Sequence, residues 1–417
     1  MQCEACPIET PVWDAEQGKC TQCETETPYY NADTGLCESC TGNTPYYNED
    51  TKVCERCPID MPVWNTVTLQ CEACPEKMPV WNGTTCVTEK DFCTTAMTEA
   101  GFGTDKVAVL KNEIIYAGNM SVFYDLDLSA CHLKVNGTLT VKEDKVLKAN
   151  TVTVSSEAEY GIRIQEGASL ITKGDVSAVA KEYGVYVDAG NLTVGGTLTG
   201  ESKEQNAVYF KTGSTVVIDS DLIGTNTSLG EEYGYGISSG SGVFVTIKGN
   251  VRGQGYMGVF VSGNWIIEGT LTAIGDYAQG LYVYGNLWIA GNSEITNPGR
   301  DWATAVIDTN GRLVSLSNFV STGAYRAVSN AGYINVAGEL IGISTGLSDG
   351  TSFGLYNSGT VIAGVIKAKA PTSSYAHSIF NFLEKSFIKA KTKIYYCGSG
   401  IDNDGTISPT PVKNCNW

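Results

Sequence analysis

The sequence predicts an all-β chain: a right-handed parallel β-helix of about ten coils, preceded by a rod of small disulfide-linked cysteine-rich repeats. Three observations predict it. Twelve of the fifteen cysteines fall within the first 93 residues, where five Cys-x-x-Cys pairs recur with a period of 17. From residue 131 onward, short β-branched runs punctuated by Gly return every 22 to 29 residues. Among 417 residues, 42% are hydrophobic, with 47 Gly and only 12 Pro, which excludes a collagen-like or disordered chain.

The first segment, 1–93, reads as a tandem-repeat stalk. Cys3/Cys6, Cys20/Cys23, Cys37/Cys40, Cys54/Cys57 and Cys71/Cys74 mark modules of the form C-x-x-C-x4-P-[VY]-[WY]-[ND]-x5-C. Trp13, Tyr30, Tyr47, Trp64 and Trp81 stand in register. Such pairs also fit a zinc ribbon. Against zinc stand the need for neighbouring modules to share ligands, the absence of nearby histidine, and an acidic rather than basic surface. The favoured reading joins the second Cys of one pair to the first of the next. It gives Cys6–Cys20, Cys23–Cys37, Cys40–Cys54 and Cys57–Cys71, then a shortened Cys74–Cys86. Each loop is too small to bury a core, and a crosslink contributes about 2–3 kcal/mol by restricting the unfolded chain. Cys93–Cys131 and Cys397–Cys415 complete seven pairs. Cys3 is left over, with its expected partner upstream of Met1, so the chain reads as a piece of something longer. Disulfides in this number place it in an oxidising, extracellular compartment or on a cell surface.

Residues 1–93 carry 16 acidic and 5 basic side chains, a net of −11 out of −17 for the chain. That balance argues against nucleic acid, whose phosphates demand a basic footprint, and against docking on anionic lipid. No apolar run is long enough to span a membrane, and "MQCEACPIET" has no secretory leader pattern. Calcium at Asp14, Asp33 and Asp50 is conceivable, although Asp and Asn in turns explain these positions. No other cofactor is expected. The modules resemble the short cysteine-rich repeats arrayed on microbial surface proteins and, more loosely, the stalk repeats of eukaryotic cell-surface receptors.

Residues 94–130 are expected to cap the solenoid, with Cys93–Cys131 as the lock. Across 131–390, "YGIRIQEGASLIT", "YGVYVDAGNLTVGGTLTG" and seven further segments share one pattern: small-apolar-x-apolar, Gly, apolar-x-apolar, then a third apolar pair. Three short strands per coil follow, and stacking at the strand spacing gives a rod of about 50 Å. Residues 391–417 form the second cap, closed by Cys397–Cys415. In the first strand of each coil, Ile162, Val185, Val208, Val259, Leu281, Val306, Val328 and Leu355 are expected to face inward. Arg163, Tyr186, Tyr209, Ser238, Phe260, Tyr282, Ile307, Ser329 and Tyr356 are expected to face out. The domain resembles the pectin-lyase-like β-helix superfamily of surface adhesins, phage tailspikes and polysaccharide-degrading enzymes.

That resemblance implies a fold rather than an activity. Lyases of the superfamily use an acidic Ca²⁺ cluster with an Arg or Lys base; its glycosidases use aspartates in "NTD" and "DD" motifs near a His. Neither motif occurs here. His132 and His377 lie near the ends and read as structural. Asp175, Asp219, Asp221, Glu268, Glu294, Asp308 and Glu339 are scattered, with Asp308 expected in an inward polar ladder beside Asn330 and Asn357. "GISSGSG" is turn chemistry without a base nearby. The chain is therefore expected to be a non-enzymatic surface protein, an adhesin or a component of a surface fibre. Its candidate binding residues are the outward aromatics Tyr186, Tyr209, Phe260, Tyr282, Trp288 and Tyr356, facing a glycan or a protein on a host or neighbouring cell. The alternatives are a self-assembling extracellular filament subunit, which would bury these rings against a neighbour, and a carbohydrate-active lyase or hydrolase. A bland reading also exists, in which the rings pair across coils and stabilise the sheet. Sequons at Asn82, Asn119, Asn136, Asn191 and Asn226 matter only in a eukaryotic secretory route.

Overall fold

A computed structural model describes residues 6–417 except 8–9, 15, 25–26, 41–43, 59, 229–233, 299–301, 347–350 and 373–374. The chain divides into two compact units, Met1–Phe92 and Cys93–Trp417.

The first unit is a series of small antiparallel hairpins. Val12–Asp14 pairs with Lys19–Thr21, Tyr29–Asn31 with Leu36–Glu38, and Tyr46–Asn48 with Val53–Glu55. Val63–Asn65 pairs with Gln70–Glu72, and Val80–Trp81 with Cys86–Val87. In each hairpin the registered aromatic lies directly across from a cysteine: Trp13 from Cys20, Tyr30 from Cys37, Tyr47 from Cys54, Trp64 from Cys71 and Trp81 from Cys86. That cysteine is bonded to one 14 residues earlier in the first four modules and 12 earlier in the fifth. The disulfide thus closes each loop, which a handful of residues could not do by apolar burial alone. Cys3 lies outside the described residues.

The turns are built by a recurring side-chain bracket. The Asn31 amide and the Thr34 hydroxyl both donate to the Glu38 carboxylate, at 3.1 and 2.8 Å. Asn48, Thr51 and Glu55 repeat the arrangement, as do Asn65, Thr68 and Glu72. Asn31 and Asn48 also accept the backbone N–H of Asp33 and Asp50, while Asp14 accepts those of Glu16 and Gln17. These are Asx turns; of the three positions considered for calcium, Asp14 engages its carboxylate, whereas Asp33 and Asp50 take part through the backbone N–H.

The second unit is a parallel β-solenoid of about 12 turns. It holds a 13-stranded sheet and a 23-stranded sheet. The coil Tyr183–Val187, Asn191–Val194, Leu198–Ser202 shows the rule: the first strand joins the smaller sheet and the other two join the larger. The expected ten coils become about twelve because parallel pairing already runs through strands Glu113–Ala117 and Met120–Val122, and continues through Phe387–Gly398 and Ile401–Asn403. The helix Glu89–Glu99 is tied by Cys93–Cys131 to strand Leu126–Asn136, and Cys397–Cys415 ties Phe387–Gly398 to the C-terminal residues.

The core is a stack of aliphatic rows. Leu139, Ile162, Val185, Val208, Ile237, Val259 and Leu281 succeed one another in register and are fully buried. The small residue opening each coil has a steric cause: a Cβ on Gly184 would lie 2.7 Å from the Ala207 carbonyl oxygen and 2.7 Å from the Glu201 nitrogen. One coil departs from expectation. Thr304, not Ala305, occupies the small-residue place, so Ala305 and Ile307 face inward and Val306 stands in the outward row between Tyr282 and Ser329. The expected assignments of Val306 and Ile307 are exchanged, because a one-residue slip flips every side chain.

The same slip removes Asp308 from the polar ladder. Ile307 fills the position next to Asn330. The ladder instead runs Asn330, Asn357, Asn381, Asn403, each amide donating to the next carbonyl at 2.7 to 2.8 Å.

Candidate binding face

The outward row of the 13-stranded sheet reads Arg163, Tyr186, Tyr209, Ser238, Phe260, Tyr282, Val306, Ser329, Tyr356, Phe380. Parallel in-register stacking forces these side chains into contact, one coil upon the next. The row is not one continuous aromatic stripe. Ser238 interrupts it, only 2% exposed beneath its large neighbours, and Val306 with Ser329 interrupts it again. Three patches result.

In the first patch, Tyr160, Tyr183, Tyr186 and Tyr209 pack with ring centroids 5.1 to 5.4 Å apart, the Tyr183–Tyr186 pair edge to face at 77°. Arg163 lies over the Tyr160 ring and pairs with Asp188, which also binds Lys211 at 2.7 Å. The second patch stacks Tyr235, Phe260 and Tyr282, with the Tyr282 hydroxyl donating to the Asp308 carboxylate. The third sets Tyr325, Phe353 and Tyr356 around Arg326, whose guanidinium sits 3.8 Å from the Tyr356 ring centroid, with Phe380 and Phe382 packed beyond. Among the described residues Arg326 has no carboxylate partner, in contrast to Arg163; its contacts are with the rings.

Burial shapes the hydroxyl chemistry. Desolvation raises the pKa of Tyr160, Tyr183 and Tyr186 above the ordinary phenol value. Desolvation, with the Asp308 hydrogen bond second, pushes Tyr282 up to about 12. These groups stay protonated and serve as hydrogen-bond donors beside apolar ring faces. A surface of ring faces, neutral donors and guanidinium groups suits a ligand with one apolar and one hydroxylated side.

Of the expected binding residues, Tyr186 and Tyr209 fall in the first patch, Phe260 and Tyr282 in the second, and Tyr356 in the third. Trp288 does not join them. It lies in the 23-stranded sheet between Ile266 and Val314, because the chain turns after Tyr284 before that strand begins. The sequence reading passed over Tyr160, Tyr183, Tyr235 and Phe353, which sit immediately before the coil-opening Gly. The repeated Tyr-Gly pairs at 160, 183 and 235 were the available signal. Arg326 and Phe380 were also passed over.

The scattered acids hold turns and strands. Asp175 accepts the Thr197 backbone N–H, Asp221 that of Asn250, Asp219 pairs with Lys248, and Glu339 pairs with Lys367 at 2.8 Å. His132 bonds the Thr151 hydroxyl at 2.7 Å, and His377 stacks on Phe353. Among the described residues no group of three or more His, Cys, Asp or Glu is arranged to hold a metal ion. No helix among them is long and apolar enough to cross a membrane. Asn226 is buried and bonded to Ser202, whereas Asn82, Asn119, Asn136 and Asn191 are exposed. Comparison with protein-family models, with curated proteins and with solved structures finds no match for this chain.

Proposed function

We propose that this chain is an extracellular, non-enzymatic surface protein, an adhesin or component of a surface fibre, whose solenoid binds a glycan through the aromatic face. The observation that carries the reading is the concentration of aromatic rings in the outward row of one sheet, where polar residues would serve solubility better. Rings held by their neighbours lose little entropy on binding, and sugars present apolar faces to them. Seven disulfides are typical of extracellular proteins and support the location. The cysteine-rich repeats would serve as the stalk that carries the solenoid outward.

The test is an immobilised-glycan array probed with the full chain and with Tyr186→Ala and Phe382→Ala. Phe382 is 46% exposed, so its removal spares the core. Binding to a defined glycan set, weakened roughly tenfold by one of these variants, supports the reading. Capture of a protein with no glycan bound would replace it, as would glycan binding indifferent to both variants.

One observation favours a filament reading. The terminal strands of the 13-stranded sheet, Met120–Val122 and Ile401–Asn403, each pair on one side only among the described residues. Light scattering across a concentration series separates the two readings, since a filament subunit grows in mass with concentration.

A further inference from the structure

An open groove of about 960 Å³ crosses four successive modules of the cysteine-rich unit. Its wall repeats with the 17-residue period: Pro11, Pro28 and Pro45 form one row, and Tyr30, Tyr47 and Trp64 another. The rings on the solenoid are satisfied by one another, as in Tyr356 against Phe380. Among the described residues Tyr30, Tyr47 and Trp64 make no ring-to-ring pair, although each is half-buried. They are held in place by the hairpin, opposite a disulfide cysteine, and all three line the groove.

Charge decides what can lie there. The wall carries the exposed carboxylates of Glu24 and Glu49 against the single ammonium of Lys52, in a segment of net charge −11. A ring face is the negative end of an aromatic quadrupole, so it attracts a cation, and flanking carboxylates add to that attraction. Proline-and-aromatic walls suit an extended polyproline-type backbone, whose ordering cost on binding is small. The regular spacing of identical walls calls for a ligand that is itself extended. A compact sugar or an anionic polymer meets none of these conditions.

We propose that this groove binds an extended, proline-containing polypeptide segment bearing lysine or arginine side chains. The cations lie over the Tyr30, Tyr47 and Trp64 rings, and the prolines rest against the proline row. The site is separate from the aromatic face of the solenoid and does not depend on it.

The experiment is a fluorescence-anisotropy titration of the full chain with a labelled peptide of Pro-Pro-Lys repeats. Peptides of Pro-Pro-Ser and Gly-Gly-Lys repeats serve as controls. Saturable binding of the first peptide is expected, at least tenfold tighter than either control and weaker in added salt. Tyr47→Ala and Trp64→Ala should each weaken it roughly fivefold. Glu24→Gln with Glu49→Gln should weaken it further at low salt; both side chains are exposed and outside the turn brackets, so this variant folds. Each ring variant is accepted only when its free-thiol count equals that of the parent chain. Equal binding of the Gly-Gly-Lys peptide, or binding unchanged by both ring substitutions, would reduce the effect to bulk charge attraction and overturn the proposal. So would the absence of saturable binding.

Discussion

Lys52 and Leu69 occupy the turn position that Gly18 and Gly35 fill in neighbouring modules, and all four have left-handed backbone angles, with φ between 52° and 71°. An L side chain there crowds its own carbonyl, a strain Gly lacks. Leu69→Gly should therefore stabilise its hairpin by about 0.5–1 kcal/mol, net of the added unfolded-state freedom, as read by slowed amide exchange across Val63–Glu72. The asparagine ladder makes the opposite case. Asn357 is fully buried, donates to Asn381 and receives from Asn330. Asn357→Ala takes the donor from the buried Asn381 carbonyl, while the Asn330 amide keeps the Gly332 and Thr360 carbonyls, and the change should cost about 2–3 kcal/mol, seen as a lower melting temperature of the solenoid. A melting temperature within error of the parent would show that water replaces the lost bonds.

The Tyr46–Glu55 hairpin is an element whose stability depends on pH. The Asn48 amide and the Thr51 hydroxyl both donate to the Glu55 carboxylate and lower its pKa below the ordinary 4.5. A depressed folded-state pKa means that the ionised form is preferred in the fold. The contribution is present above the unfolded value of 4.5 and is lost as pH falls through the lower folded value. Protection of the Tyr46–Glu55 amides, taken relative to the intrinsic exchange rate at each pH, should accordingly fall below the usual glutamate range, and Glu55→Gln should flatten that dependence. An unaltered exchange profile in acid would mean that the disulfide alone sets the hairpin's stability. The solenoid strands are held differently, by parallel pairing and by an inward aliphatic row.

At the scale of the whole molecule, the two units rest on different physics. The hairpin unit is closed by Cys6–Cys20, Cys23–Cys37, Cys40–Cys54, Cys57–Cys71 and Cys74–Cys86, with little apolar interior. The solenoid has a continuous buried core and one disulfide near each end of its sequence. Reductant at neutral pH should bring amide exchange in residues 6–87 to the unprotected rate while strands such as Tyr183–Val187 stay protected. Simultaneous loss of protection in both units would show that the solenoid also needs its crosslinks.

The sequence by itself determined the module length, the cysteine spacing and the small-apolar-x-apolar beat of the coils, since covalent closure and strand alternation are local and periodic. It therefore made the disulfide-linked repeats and the parallel stacking legible, and it pointed to Tyr186, Tyr209, Phe260, Tyr282 and Tyr356 as outward rings. Only the tertiary structure decided what those rings do together. The one-residue slip at Thr304 moved Val306 outward and Asp308 off the ladder, and a turn after Tyr284 carried Trp288 to the other sheet. Arg326 met Tyr356 and Phe353 only through the stacking of successive coils. Such contacts depend on register across coils 22 or more residues apart, where loops of variable length intervene, and no local pattern encodes that register.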